Sequence, residues 1–259
     1  MTLRYEYKYF VPYEKLERLR GLIGPFMRLD GFARKHGGEY TVRSIYFDTP
    51  DLECYFHKLH GVKRRNKVRL RGYNVGDGQS LVFFEIKKKV DEPLHKNRAA
   101  LGYAEAREAL RGKPLDEVAV TVTRSADAIE DAQRFIYHVR ARRMQPVITV
   151  IYEREPYQAI FVDEENDLRI TFDKNLRTVA RPALDALFEE RNARLVGKRH
   201  FILEVKFNRY LPNWVKAVTG SLGLTRSSAS KYALCVEAHP EIMNARGIFT
   251  VGPLTSVHF

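Results

Sequence analysis

A chain of 259 residues, 44% of them hydrophobic, is long enough to bury one large core. Its formal net charge of +12 points to an anionic partner, whether nucleic acid, an anionic membrane or a free phosphorylated compound. Two cysteines, Cys54 and Cys235, exclude a disulfide framework, and the dispersed histidines, His57 and His60 included, do not make a zinc site. The charged start, Met1–Lys8, has no signal-peptide core and no run of about 18 apolar residues occurs, so a cytosolic protein is expected.

The predicted elements begin with a strand over Arg4–Val11. Leu16, Leu19, Ile23 and Phe26 then recur at helical spacing and predict a helix over Tyr13–Leu29. Strands follow over Tyr40–Asp48 and Lys67–Tyr73. Asn74–Ser80, with Gly76, Asp77 and Gly78, reads as a hairpin loop leading to a strand over Leu81–Val90. Helices are expected over Gly102–Arg111 and Ser125–Arg143, the second with a stripe of Ile129, Ala132, Phe135 or Ile136, and Val139. Strands return over Val147–Arg154, Leu168–Asp173 and Phe201–Phe207, and short helices are expected after Pro182, Pro212 and Ser227. Residues 241–259 read as a peripheral tail. Strands with interspersed helices and no regular βαβ rhythm predict an α+β fold, one unit over residues 1–259, built on an antiparallel sheet or barrel.

Residues two apart on a strand share a face. Lys67, Arg69 and Arg71 oppose Val68 and Leu70; Tyr152 and Arg154 share a face, as do Arg169, Thr171 and Asp173. The triplet Glu-x-Lys recurs on three strands as Glu6/Lys8, Glu85/Lys87 and Glu204/Lys206, the last opposed by Leu203, Val205 and Phe207. A solvated sheet face explains any one of these. Together they say otherwise, because the polar faces hold mainly Lys, Arg and Glu while the apolar faces are bulky and amphipathic helices are at hand to cover them. The pattern predicts an antiparallel β-barrel, a tunnel with a charged lumen and helices packed outside. Such a lumen suits a linear polyphosphate, neutralised by Lys and by bidentate Arg, with carboxylates able to hold Mg²⁺ or Mn²⁺ against its oxygens.

The runs Arg4–Val11, Ser44–Asp48, Arg69–Arg71, Phe84–Lys87, Tyr152–Arg154, Leu203–Lys206 and Ser230–Tyr232, in that order, resemble the catalytic domain of the vacuolar transporter chaperone (VTC) polyphosphate polymerases. That family belongs to the triphosphate tunnel metalloenzymes, or CYTH superfamily, and the resemblance runs from about Arg4 to about Glu237. It implies a β-tunnel that binds ATP or another nucleoside triphosphate and transfers its γ-phosphate to a growing inorganic polyphosphate chain. It implies a divalent metal cofactor, Mn²⁺ or Mg²⁺, and a membrane-protein partner; nucleic acid is not expected. Carried over residue by residue, Lys8, Arg69, Arg71, Lys87, Arg154 and Lys231 match the catalytic phosphate clamp. Lys96, Arg98, Tyr152, Arg169 and Lys206 match substrate-binding positions, and Glu204 matches the metal-binding carboxylate. The eukaryotic pattern also has a regulatory domain of the inositol-phosphate-sensing type and membrane helices. Neither is expected here, so coupling of synthesis to export is not carried over.

Two other readings stay open. Tunnel triphosphatases, acting on tripolyphosphate, thiamine triphosphate or an RNA 5′ end, carry Glu-x-Glu-x-Lys in the first strand. This chain has Arg4-x-Glu6-x-Lys8, one carboxylate fewer to activate water. A non-enzymatic polyanion binder would use the net charge and an external patch of Arg134, Arg140, Arg142 and Arg143, although cations near a helix C-terminus also serve its dipole. No nucleic-acid-binding motif is present. Phosphoryl transfer requires no Ser, Cys or His nucleophile, and none stands out.

Overall fold

The computed structural model describes residues 4–89, 94–115, 126–161, 163 and 166–244. β1 (Arg4–Pro12) passes through a 3-10 turn into α1 (Leu16–Ile23). Gly24-Pro25 stops that helix short of its predicted end at Leu29, because a residue before proline is disfavoured in helical conformation, and β2 (Met27–Leu29) takes the remainder. α2 (Gly31–Lys35) is capped by Asp30, whose carboxylate accepts from Ala33 N at 2.8 Å, and leads into β3 (Tyr40–Asp48). After it come α3 (Glu53–Leu59), β4 (Arg65–Tyr73), β5 (Leu81–Lys89), β6 (Leu94–Gly102), α4 (Tyr103–Arg111) and α5 (Ala126–Ala141). The chain continues with β7 (Gln145–Ala159), β8 (Leu168–Ala180), β9 (Arg194–Leu195), β10 (His200–Asn208), α6 (Asn213–Ser221), β11 (Arg226–Ser227), α7 (Lys231–Glu237) and α8 (Pro240–Asn244).

The strands pair antiparallel in one sheet of order β11-β1-β10-β8-β7-β3-β4-β5-β6, with β2 on β7 and β9 on β8. The α+β antiparallel fold is therefore as expected, but closure into a barrel is not part of the strand pairing. Among the described residues β11 and β6 end the hydrogen-bonded path and do not pair with each other. The sheet is nevertheless rolled. β1 and β5 are six steps apart in it, roughly 29 Å on a flat sheet at ~4.8 Å per step. Lys87 of β5 still lies within electrostatic reach of Glu6 of β1.

Strand alternation decides which side chains the roll encloses. Tyr9, Val11, Leu203, Val205 and Phe207 face outward into a core shared with α1 and α6. Val68, Leu70, Phe84 and Ile86 face outward towards α4 and α5, Phe84 stacking on Phe135 with centroids 4.2 Å apart. The charged faces are enclosed: Glu85 is 0% exposed and Glu204 5%, and Arg69, Arg71 and Asp173 are buried with them. That excludes a solvated outer face.

Several local expectations fail. β6 and α3 carry no periodicity strong enough to have been predicted. Ile129 of α5 is exposed, and Ala128 takes the core-facing place. No helix follows Pro182. Residues 181–193 form turns, and Leu187 and Phe188 close over Gly72, where a Cβ would come within 2.8 Å of the Phe188 ring. Of the predicted tail, 241–244 belong to α8, and 245–259 lie outside the described residues.

Candidate functional site

On β4, β5 and β6 the register sets Arg69 opposite Glu85 and Glu85 opposite Arg98. Arg69 donates from Nε and Nη2 to Glu85 Oε2 at 2.8 and 2.6 Å, and from Nη1 to the Tyr46 hydroxyl at 2.8 Å. Arg71 Nη1 lies 3.7 Å from the same Glu85 oxygen, and its Nε donates to Ser44 Oγ at 3.1 Å. Arg98 Nε lies 3.3 Å from Glu85 Oε1. One buried carboxylate therefore serves three guanidinium groups. Burial opposes charge on Arg69, but Tyr46 and Glu85 outweigh it and hold its pKa above the ordinary value.

A second cluster forms where β1, β10, β8 and β7 lie side by side. Lys8 is opposite Glu204, Glu6 opposite Lys206, and Arg154 opposite Asp173. Arg154 grips Asp173 with both prongs, Nε to Oδ1 at 2.7 Å and Nη2 to Oδ2 at 2.8 Å. Lys231 Nζ reaches Asp173 Oδ2 at 2.5 Å and Glu204 Oε2 at 3.6 Å. Lys206 Nζ sits 2.5 Å from Glu204 Oε1 and 3.8 Å from Glu6 Oε2, and Lys8 Nζ is 2.7 Å from Glu6 Oε1. The buried Tyr152 ring lies 5.3 Å from Arg154 Cζ and 4.8 Å from Lys231 Nζ. Burial works against the charge on Glu204, yet Lys206, Lys231, Lys8 and Arg154 hold its pKa well below the carboxylate range. Asp173 is held down against burial by Arg154 and Lys231.

α7 delivers Lys231 because its start is fixed. Ser230 Oγ caps the helix, accepting from Ala233 N at 3.5 Å, and also accepts from Lys67 Nζ at 3.2 Å. Tyr232 stacks on Tyr46 at 5.0 Å and donates its hydroxyl to Asp48 Oδ2 at 2.6 Å. Asp48 also accepts from the backbone N–H groups of Thr49, Cys54 and Tyr55, so this carboxylate ties α3 to α7. The buried thiols offer no nucleophile: burial pushes Cys235 up to about 12 and Cys54 higher still.

Between the clusters stand two lysines without a bonded carboxylate among their described contacts. Burial and the nearby Lys8, Arg69 and Lys231 push Lys67 down to about 7, against the pull of Glu6. Lys87 is held well below its ordinary value by burial, Arg69 and Lys206.

The residues expected at the site mostly converge. Lys8, Arg69, Arg71, Lys87, Tyr152, Arg154, Glu204, Lys206 and Lys231 share the enclosed region. Arg98 stands at its exposed margin, 3.6 Å over the Phe83 ring, with Nη2 donating to the Tyr73 hydroxyl at 3.4 Å. Arg169 is at the rim, paired with Asp30 at 2.9 Å. Lys96 lies opposite Lys87 on β6, but its side chain is outside the described residues. Sequence reasoning assigned no role to Glu6, Glu85, Lys67 or Asp173. Strand parity had already placed all four on the charged face; their roles were missed because their partners lie on other strands. Two of the four arginines of the external patch are paired with carboxylates, Arg134 with Glu130, and Arg142 with Glu53 at 2.7 Å.

Among the described residues no three His, Cys, Asp or Glu side chains converge as a metal cage. Glu6 and Glu204 nevertheless flank one ammonium, that of Lys206, and Glu204 opposes the ionisation of Glu6. Two hard carboxylates that share an ammonium, with no arginine fork across both oxygens of either, would suit a small divalent cation. Glu85 and Asp173 do not fit, being held by arginines.

Fold and site together define an antiparallel α+β protein with a buried, cation-rich face. The VTC domain family matches residues 3–239, and the chain belongs to that family. It is similar to the vacuolar transporter chaperone complex subunit 4 of Schizosaccharomyces pombe, at 27% identity over 222 residues. That match covers 73% of this chain and 30% of the yeast protein, so the chain spans less than a third of that relative. It is also similar to the solved structure of a Hippeastrum protein described by a dominant triphosphatase activity. There the TM-score is 0.41 and the identity 15%, covering 92% of this chain and 96% of that one, and a likeness at this level carries no argument. No helix among the described residues is long and apolar enough to cross a membrane.

Proposed function

We propose that the rolled sheet acts as a tunnel for polyphosphate synthesis, transferring the γ-phosphate of ATP or another nucleoside triphosphate to an inorganic polyphosphate chain, with Mn²⁺ or Mg²⁺ as cofactor. The observation that carries this reading is a charge imbalance on one enclosed face. Among the described residues, Lys8, Lys67, Arg69, Arg71, Lys87, Arg154, Lys206 and Lys231 share that face with Glu6, Glu85, Asp173 and Glu204. Cations crowded in a low-dielectric space repel one another unless an anion intervenes. A chain of phosphates supplies negative charge at regular intervals, and arginine meets it bidentately.

In this reading Arg69 and Arg71 on one wall, and Lys8, Arg154 and Lys231 on the other, hold donor and acceptor in line. The terminal oxygen of the acceptor bonds to the γ-phosphorus as the bond to the β-phosphate oxygen breaks, and the nucleoside diphosphate leaves. Fixed guanidinium groups stabilise charge on the transferring group and the leaving oxygen. Tyr152 supports Arg154 and Lys231, while Lys96, Arg98, Arg169 and Lys206 take up the flanking phosphates and Lys87 joins the clamp. Glu204 and Glu6 would hold the metal, which when bound would supply Lewis-acid chemistry to the transferring phosphate. The relative's name as a complex subunit supports a protein partner, and a membrane protein is the partner this reading favours.

The test is purified protein with ATP, Mn²⁺ and a trace of pyrophosphate, the products separated on a gel. Long chains are expected. Orthophosphate without chain growth would assign the site to triphosphate hydrolysis, and binding of polyphosphate without turnover would leave a polyanion-binding protein.

A further inference from the structure

The two ends of the charged face differ. β3 has nine residues, so its ends lie roughly 26 Å apart at ~3.3 Å per residue. At the Tyr40 end, rings crowd the margin. Phe32 of α2, itself exposed, meets Tyr40 edge-on at 4.9 Å, Tyr40 meets Tyr73 at 5.8 Å, and Tyr73 meets Phe83 at 5.9 Å. At the Asp48 end the rings of Tyr46, Tyr55 and Tyr232 are buried, and the connection from α3 to β4 forms the margin instead. Together with the end of α3 and the start of β4 it reads HKLHGVKRRN over His57–Asn66, with Lys58, Lys63, Arg64 and Arg65 and no carboxylate.

This connection is continuous with the enclosed cations. Burial lowers the pKa of Lys58, helped by Arg65 and by Lys8 on the charged face and only partly offset by Glu237. Lys67 follows one residue after the stretch, and the ammonium groups of Lys67 and Lys8 donate to Ser230 Oγ and Ala229 O at the start of α7, both at 3.2 Å. Lys63 and Arg64 are exposed beyond them. Positive charge thus runs from the buried face to the surface on this side, and none of the exposed large apolar side chains lies on the connection.

We propose that the α3–β4 connection is a second binding site, for the stretch of polyphosphate beyond the reacting end, so that the charged face has a polarity. The nucleoside end of the triphosphate sits at the aromatic margin, and the growing chain leaves over Lys63 and Arg64. The proposal rests on the polyphosphate reading above. A planar base stacks on rings, whereas a phosphate chain has nothing to stack and is held by spaced cations. Single-stranded nucleic acid calls for both features together, and this end has only one.

The test compares the affinity of the full chain for polyphosphate of about 100 phosphates with its affinity for tripolyphosphate, at low salt where surface charge acts most strongly. Lys63→Glu with Arg64→Glu should lower long-chain affinity roughly tenfold and tripolyphosphate affinity far less, so their ratio falls. Arg64→Ala alone, a milder change, should lower the ratio in the same direction. Arg34→Glu with Lys35→Glu, at the α2 end, should leave the ratio as it is. An unchanged ratio in the loop variants, an equal loss from the α2 variant, or equally tight loop-dependent binding of single-stranded RNA would overturn the proposal. If the ratio falls but no polymer forms from ATP, the site stands and the polymerase reading fails. If polymer forms and the ratio holds, the site fails and the polymerase reading stands.

Discussion

Glu85 and Glu204 are both buried at the centre of the charged face, yet they are held in opposite ways. Glu85 meets three guanidinium groups: Arg69 at 2.6 Å, Arg98 at 3.3 Å and Arg71 at 3.7 Å. Glu204 meets mainly ammonium groups, Lys206 at 2.5 Å and Lys231 at 3.6 Å, with Arg154 at 3.8 Å. Arginine stays protonated and bonds with a planar fork, so the Glu85 wall is a clamp of fixed charge and geometry. Ammonium groups are compact point charges on flexible stems, so the Glu204 wall can rearrange its charges where the Glu85 wall cannot. Glu6 sharpens the difference. It shares Lys206 with Glu204, and a divalent cation could take up a place beside that pair. The comparison separates two arrangements that a charge count merges: one carboxylate is fixed by guanidinium forks, the other is shared mainly among ammonium groups.

The largest effect should come from breaking the fixed wall. Glu85→Gln leaves three guanidinium groups beside a neutral amide, and loss of one partner in a buried ionic cluster costs ~3–5 kcal/mol. Urea unfolding should show that loss, and tripolyphosphate should restore part of it by binding only the folded state. A loss below about 1 kcal/mol would mean Glu85 is not what holds the arginines in place. Next in size is Arg71→Ala, which removes the arginine least committed to Glu85 and so the one freest to contact phosphate. Turnover should fall roughly 10²-fold while the melting temperature barely moves, because the crowded cations lose one member. Wild-type turnover in that variant would take Arg71 out of the clamp.

What could be read in advance follows the same division. Which face a side chain takes is a local property, so parity alone put Arg69, Arg71, Lys87, Glu204 and Lys206 on one enclosed surface. Which partner it meets depends on distant segments. Nothing near Lys231 in the chain announces Asp173, and the contact exists because Ser230 and Tyr232 pin α7 against β3 and β4. β6 escaped notice because its residues, Leu94–Gly102, alternate poorly, so Arg98 was known by resemblance without its Glu85 contact. The openness of the sheet was equally hidden, since parity is the same in a rolled sheet and a closed one.

A smaller effect tests the adjustable wall. Glu204→Gln keeps the shape and removes the charge. Polyphosphate affinity should rise, since a carboxylate next to phosphate repels it, while turnover falls roughly tenfold and its Mn²⁺ dependence flattens. Tighter polyphosphate binding alongside undiminished, equally metal-dependent turnover would keep the anion site and exclude Glu204 as a ligand.

The smallest effect is a pH dependence carried by Lys67. With its pKa pushed down to about 7, Lys67 is charged in the free protein at pH 6 and mostly neutral at pH 8. Its ordinary value is 10.5, so between about 7 and 10.5 the unfolded chain binds a proton here that the folded chain does not. For a lysine depressed in this way the linkage sign is positive, and its contribution to stability rises with pH through that window. Binding of an anion runs the other way, because phosphate stabilises the charged lysine and the free protein must first take up the proton. Polyphosphate affinity should therefore weaken several-fold as pH climbs from about 6.5 to 8.5, over the same interval in which apo stability begins to rise. Lys67→Met should flatten both slopes. If affinity fell with pH as steeply in Lys67→Met as in the wild type, the proton would belong to another group, and Lys87, depressed by burial, Arg69 and Lys206, would be the one to substitute next.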